Sequence, residues 1–407
     1  MKMLFILAWL NLWRNKRRTL ITASSVFFAV ILALVAESMT KGSHEAMISN
    51  MVKLSTGYLQ LQDSLYEDEP SVDHAFMYDD TLKQIIRQTS GIAYVVPRFE
   101  SFMLAATEKS TRPVMLRGVD FEAENRLNDM GHKLLEGNSL EAGDQAVLLA
   151  DGLAERLKMD VGDSIILVGQ GFRGMSAAGI YPVKGIMKIS LPRLNDQLIF
   201  MPLAATQQLF GAEDRLTALL ITPEEKDQTG LLAQQLRDQL DPKWFKVLTW
   251  KQMMPTLLQS LELDRASGMM IIYMLYLVVG FGILGTVLTM MLERQREFGI
   301  LLSVGMKRSQ LALITFVETV FISMIGVAAG LVGGFPIILY MHHHPIRFGE
   351  EMEAMFETYG MEAVMPFALD LQVFSSQAVV VLLITLVIGL YPVLKVFRMN
   401  ILKAARN

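Results

Sequence analysis

The sequence predicts an α-helical membrane protein with four transmembrane helices and a large α+β extracytoplasmic domain between helices 1 and 2. Three observations carry that fold class. Thr19–Ala36, Gly268–Leu292 and Phe374–Leu394 hold no charge, and Leu311–Met341 holds only Glu318. A bilayer core about 30 Å thick asks for roughly 20 apolar residues in a helix, and buried helices of a soluble core seldom run so long uncharged. Between the first two of these runs the pattern changes to short alternating segments bounded by turn residues, the mark of strands. Basic residues, finally, gather beside one end of each apolar run, which is how transmembrane helices are oriented.

Residues 1–18 (MKMLFILAWLNLWRNKRR) set Trp9 and Trp13 four apart ahead of a basic cluster. That suits an amphipathic helix in the cytoplasmic interface, with tryptophan at headgroup depth and arginine toward anionic lipid. Transmembrane helix 1 follows at 19–40. The domain at 41–267 opens and closes in helical patterns, Met47, Met51 and Leu54 at one end and Met254, Leu257, Leu258 and Leu261 at the other. Both read as stalks that continue the adjoining spans, with Pro255 as a kink in the second because proline removes a backbone hydrogen bond. Inside the domain, strands are expected at 57–62, 93–99, 112–120, 145–150 and 164–169. Helices are expected at 79–88, 151–158 and 227–240, with two lobes dividing at 130–200. The glycine-rich segment 169–179 reads as a mobile loop or hairpin. Transmembrane helix 2 (268–292), a connector (293–310), helix 3 (311–341), a loop (342–373), helix 4 (374–396) and a tail (397–407) complete the chain.

Lys2, Arg14, Lys16, Arg17 and Arg18 precede the first span. Arg294, Arg296, Lys307 and Arg308 occupy the connector, and Lys395, Arg398, Lys403 and Arg406 the end. The loop at 342–373 has only Arg347 against Glu350, Glu351, Glu353, Glu357, Glu362 and Asp370. Both termini and the connector are therefore expected in the cytoplasm, and 41–267 outside. The charged lead is long for a cleaved signal peptide, and no good small-residue cleavage pattern follows Ala36, so the first helix reads as an uncleaved anchor.

With 407 residues, a net charge of −4 and no cysteine, the chain has no disulfide, thiol nucleophile, cysteine zinc site or lipid-modified cysteine. It has no basic run suited to nucleic acid. No phosphate-cradling G-x-x-x-x-G-K-[ST], H-E-x-x-H or G-x-S-x-G is present, so no catalytic or metal site is predicted. His342, His343 and His344 are adjacent and point in different directions on a helix, which suits an exposed interfacial turn better than a metal site. Glu318 is an intramembrane charge, and such residues default to function. About two turns from the cytoplasmic end, it is read as an anchor reaching polar groups on a neighbour, the alternative being a proton or substrate role. Gly326, Gly330 and Gly334 recur every fourth residue and form a groove for close helix packing or a dimer contact. Gly280, Gly282 and Gly285 offer a second thin face.

The connector reads ERQREFGILLSVGMKRSQL, and this resembles the cytoplasmic signature of FtsX-like ABC permeases of the MacB and LolC/LolE types. The matching residues are Arg294, Arg296, Glu297, Phe298, Gly299, Val304, Gly305, Lys307 and Arg308. AWLNLWRNKRRTLIT at the start, LLADGLAERLKMDVGDSIILVG in the domain and YPVLKVFRMNILKAAR at the end are similar to the corresponding family segments. The resemblance implies a coupling helix that docks into a groove of a cytoplasmic ATPase. Glu297 and the Lys307/Arg308 pair would sit at the rim, with Phe298, Ile300, Leu301 and Val304 buried. Without it, a helix lying on the membrane surface fits those residues equally well.

The resemblance further implies a membrane subunit of the inner membrane that binds no cofactor directly. ATP and Mg would be used by a separate ATPase dimer, expected because the chain begins almost at its first span. Other partners would be a second permease protomer, the same or different, the lipid bilayer, and a periplasmic carrier or adaptor. The implied action is mechanical transmission to the outer domain, first for extracting lipoproteins or other lipidated substrates. The alternatives are MacB-like export of peptides, antibiotics or toxins, and non-transport regulation of cell-wall enzymes.

Overall fold

The computed structural model describes residues 2–14, 16–108, 110–349 and 364–398. Glu350, Glu351, Glu353, Glu357 and Glu362 of the acidic loop, and Lys403 and Arg406 of the tail, lie outside the described residues. The described residues form two compact units, one from residues 2–46, 260–347 and 364–398, the other from residues 47–259 with 348–349.

Among the described residues four helices are long and apolar enough to cross a membrane, and most of their length lies in the first unit. They run over Lys16–Leu54, Pro255–Glu293, Arg308–His343 and Leu371–Phe397, with a shorter helix at Lys2–Arg14 and a connector helix at Gln295–Ser303. Their shared core is aliphatic, with Val26, Val30 and Leu34 of the first long helix, Ile283 and Val287 of the second, Val327 of the third and Val381 of the fourth. The first two long helices extend well past the apolar runs that a bilayer requires. The second stalk is interrupted at Pro255, between a short helix Trp250–Met253 and the second long helix. Met254 leaves helical geometry at φ −123°, and Pro255 opens the long helix at its first position, where its missing N–H has no intrahelical role.

The second unit is built on one ten-stranded sheet. In chain order its strands are β1 (Leu59–Asp63), β2 (Ile92–Ala106), β3 (Thr111–Val119), β4 (Leu134–Gly137), β5 (Val147–Ala150), β6 (Ser164–Gln170), β7 (Ser176–Met187), β8 (Leu198–Pro202), β9 (Ala218–Pro223) and β10 (Phe245–Thr249). The spatial order is β10-β1-β9-β2-β3-β8-β5-β7-β4, with β6 paired to β2 and β7. Only β3 with β8 and β5 with β7 run parallel. The segment 169–179 closes the β6–β7 hairpin.

The two largest hydrophobic cores of this unit do not divide the chain at 130–200 as expected. One gathers Phe99, Leu116, Leu148, Leu153, Phe200 and Phe210 from the middle of the domain. The other draws Leu59, Leu82 and Ile86 from its beginning and Ile221, Leu236 and Val247 from its end. The lobes are nested because β1 and β10, the first and last strands, pair antiparallel from Leu59↔Thr249 to Asp63↔Phe245. The Trp250 N–H donating to the Tyr58 carbonyl at 3.0 Å extends that pairing. The chain thus enters and leaves the domain on neighbouring strands.

Candidate coupling site

The connector is a helix of nine residues, Gln295–Ser303, set between two long helices by breaks at each end. Arg294 has φ −98° and ψ 5° and stands at its N-cap position. At the other end the Met306 N–H donates to Leu301 O at 3.1 Å and the Gly305 N–H to Leu302 O at 3.2 Å, the paired bonds of a Schellman motif. Gly305 sits at φ +105°, a backbone conformation that glycine adopts without penalty. Lys307 then precedes the third long helix, its N–H donating to the Gln310 side chain at 3.2 Å.

The inner side of the connector is held by charge as well as by packing. Arg294 is buried, and its Nη1 donates to both carboxylate oxygens of Glu318 at 2.8 and 2.7 Å. Its Nε donates to Glu297 at 3.2 Å, and the same Glu297 oxygen accepts from Arg14 Nη2 at 2.8 Å. Four side chains therefore link the Lys2–Arg14 helix, the connector and the third long helix. Phe298 is 2% exposed, packed with Met291, Leu302, Leu311 and Val396, and the Arg294 guanidinium lies 5.5 Å from its ring centroid. Gly299 is buried beside it. Nearby, Ala8 and Leu12 are buried against the third long helix while Trp9 meets Phe321 edge to face at 5.8 Å.

The resemblance implies that Phe298 is buried in a partner's groove and that Glu297 sits at its rim. The structure buries Phe298 within its own bundle, whereas Glu297 is half-exposed and pairs with two arginines. The opposite side remains open. Arg296, Ile300 and Val304 recur every fourth residue and are exposed, with Leu301 and Lys307 beside them. Arg308 donates from Nη1 to the Phe397 carbonyl at 2.7 Å, tying the connector end to the fourth long helix. The contribution of Arg14 escapes sequence reasoning because it lies 283 positions from Glu297 and reads as one more basic residue of a cluster.

Gly326, Gly330 and Gly334 press on the first long helix of the same chain. A Cβ at Gly326 would stand 2.6 Å from Val26 Cβ, one at Gly330 2.7 Å from Val30 Cβ and one at Gly334 2.9 Å from Leu34 Cδ1. That groove is filled within the chain and has no room for a second protomer. A Cβ at Gly280 would meet Ile384 and Ile388 at 3.8 Å, whereas Gly282 and Gly285 face open space. The histidines bond three different carbonyls through Nδ1: His342 to Phe367, His343 to Leu339 and His344 to Tyr340. The His342 bond helps fasten a segment that also meets the first long helix, where Ser38 and Ala368 exchange two hydrogen bonds of 2.6 and 2.9 Å.

Comparison with known proteins agrees with this layout. Residues 269–401 match the family described as FtsX-like permease C-terminal, and residues 19–239 match the MacB-like periplasmic core domain. The lipoprotein-releasing system transmembrane protein LolC of Neisseria meningitidis serogroup B is 21% identical over 80% of each chain. The macrolide export ATP-binding/permease protein MacB of Escherichia coli strain K12 is 22% identical over 80% of this chain and 51% of its own. The crystal structure of the periplasmic region of MacB from Actinobacillus actinomycetemcomitans overlays 51% of this chain and 95% of its own at a TM-score of 0.36 and 13% identity. The chain belongs to the FtsX-like ABC transporter permeases that carry a MacB-like periplasmic core domain.

Proposed function

We propose that this permease couples ATP hydrolysis by a separate cytoplasmic ABC ATPase dimer to movement of its α+β domain on the far side of the inner membrane. The observation that carries the reading is the two-sided connector helix. Its exposed Arg296–Ile300–Val304 face offers apolar and basic surface to a partner, while its inner face is bound through Arg294 to Glu318 on the third long helix. A push on the outer face is therefore delivered to the bundle and is not absorbed by a slack loop. In this arrangement both termini and the connector are cytoplasmic, and a second protomer, the same or different, completes the transporter. Glu318 serves as an anchor for the connector.

The substrate class we favour is lipoproteins, or other lipidated molecules, drawn from the outer leaflet of the membrane. The support is that the match to LolC extends over 80% of both chains, whereas MacB is matched over only half of its length. Export in the manner of MacB is the second reading, favoured by the MacB-like core over residues 19–239.

The test is to replace Ile300 and Val304 with Asp and to purify the chain with its ATPase from native membranes. Loss of the ATPase from an otherwise unchanged permease is expected. Retention of both the complex and substrate-stimulated hydrolysis would refute the docking face. ATP-dependent release of a lipidated protein from spheroplasts, but not of its unlipidated form, separates extraction from export.

A further inference from the structure

The first long helix ends at Leu54, and a helix end leaves four carbonyls without an intrahelical donor. Two are met by backbone: Ser55 N–H donates to Met51 O at 3.1 Å and Gly57 N–H to Val52 O at 2.7 Å. The next carbonyls are met by two buried arginines from the middle of the sheet. Arg117 Nη1 donates to Leu54 O at 2.9 Å, and Arg98 donates to Ser55 O at 2.7 Å and to Lys53 O at 3.4 Å. Arg98 is fully buried on β2, and Arg117 is 2% exposed on β3.

Each arginine is held on its other side by a carboxylate. Arg98 Nε and Nη2 donate to the two oxygens of Glu124 at 3.0 and 2.6 Å, and Asn128 adds a bond of 2.6 Å to that carboxylate. Arg117 pairs at 2.6 Å with Glu100, which stands directly opposite it across β2 and β3. Two positive and two negative charges thus close a neutral group. Burial opposes ionisation throughout, yet Arg98 and Arg117 outweigh it at Glu124 and hold that carboxyl below the ordinary glutamate range. Burial and the neighbouring Arg98 charge pull Arg117 below the usual arginine value, with Glu100 opposing them.

Buried ion pairs are poor devices for stability, since apolar residues of the same volume often do as well or better. What apolar residues cannot supply is directed donors to main-chain carbonyls. We infer that Arg98 and Arg117, oriented by Glu124 and Glu100, are positioning residues that fix residues 47–54 of the first long helix on the sheet and so form the joint through which that helix moves the domain. The inference rests on the mechanical reading above for its function, though not for its geometry.

The chain has no cysteine, so a spin-label pair at Ser49→Cys and Glu155→Cys in the full-length protein in lipid nanodiscs reports the joint directly. Without nucleotide, Arg117→Gln should widen the distance distribution at least about twofold. Because that variant leaves Glu100 without its partner, the double variant Arg98→Met with Glu124→Met is the control that should fold normally. It removes the charge pair and the two carbonyl bonds together. It should fold with a smaller loss of melting temperature than Glu124→Ala, which strands the Arg98 charge, widen the distribution similarly, retain ATP hydrolysis in the ATPase complex and reduce ATP-dependent release of a lipidated protein from spheroplasts at least tenfold. A folded double variant with an unchanged narrow distribution overturns the joint. A widened distribution with undiminished release leaves the joint standing and refutes transmission through it.

Discussion

Two buried arginine clusters hold this molecule's helices, and they do so in opposite ways. In the helical unit, Arg294 meets only side chains, Glu318 inside and Glu297 outside, and the network ends in the half-exposed Arg14. In the α+β domain, Arg98 and Arg117 donate to the main chain of residues 53–55 and are sealed from water. Side-chain pairs are broken and remade by a rotamer change when one helix slides past another. Bonds to carbonyls at a helix end cannot follow such a slide without unwinding the last turn. Under the coupling proposed above, the adjustable contact would fall at the driven end and the fixed contact at the end that bears the load.

Removing one partner from either cluster is the most severe way to break this comparison. Glu124→Ala takes from buried Arg98 the carboxylate that holds it through two nitrogens, and Glu318→Ala leaves buried Arg294 with the half-exposed Glu297 alone. Each should destabilise its unit by about 3–5 kcal/mol, read as a lowered melting temperature in the full-length protein. If the clusters differ as argued, paired replacement separates them. Arg294→Leu with Glu318→Leu should restore stability and ATPase binding yet uncouple hydrolysis from release, while widening no distance within the α+β domain. Acid sharpens the same point. The carboxyl of Glu124 has a folded pKa below its ordinary value, so its contribution is complete above that ordinary value and is lost as pH falls through the folded one. The near-ultraviolet signal of the α+β domain should therefore hold from pH 7 to about 5 and fail only well below the ordinary glutamate pKa of about 4.3.

A smaller effect is expected at the glycines, which repeat the contrast between held and open faces. Gly326→Leu must drive into Val26 and the Ala23 carbonyl, at 2.6 and 2.8 Å from the new Cβ, and overpacking of this kind costs about 1–3 kcal/mol. Gly282→Leu meets nothing within 4 Å in the isolated chain and should leave monomer stability within about 0.5 kcal/mol. Melting curves of both variants in one detergent check the pair. Loss of a protomer–protomer crosslink in Gly282→Leu alone would assign the second long helix to the contact with the proposed second protomer.

How much of this could be read beforehand depended on whether the signal was local. Four apolar runs announce four long helices because length and lack of charge suffice. Strands such as 164–169 announce themselves by alternation. β7 did not, since Gly179, Pro182 and Gly185 interrupt its pattern, nor did β8, buried throughout and so without alternation. The nested lobes depend on β1 meeting β10 across most of the domain, a pairing that no window of sequence contains. Arg98 and Glu100 carry no local signal of their role: two charges two apart in a strand suit a solvated face, yet the structure turns Arg98 inward to the end of a helix. Glu318 was conspicuous for the opposite reason, a single charge in an apolar run, although its partner Arg294 looked like one basic residue among several.

The smallest effect on stability should come from Arg14, and there the comparison is tested most finely. Its bond to Glu297 joins side chains 57% and 48% exposed, and exposed pairs contribute between 0 and about 1 kcal/mol, less in salt. Arg14→Gln should leave the melting temperature almost unchanged. Yet Glu297 would then be held by Arg294 alone, at 3.2 Å, and the Lys2–Arg14 helix would lose its tie to the connector. If the adjustable cluster sets how the connector responds to its ATPase, substrate-stimulated hydrolysis in Arg14→Gln should fall several-fold, and raising the salt concentration on the parent protein should imitate the change. Arg14→Lys should recover most of it, because a single donor suffices for a bond made through one nitrogen. A variant with normal stimulation at low salt would show that Glu297 needs no support from the first helix, and would confine the adjustable contact to Arg294 and Glu318.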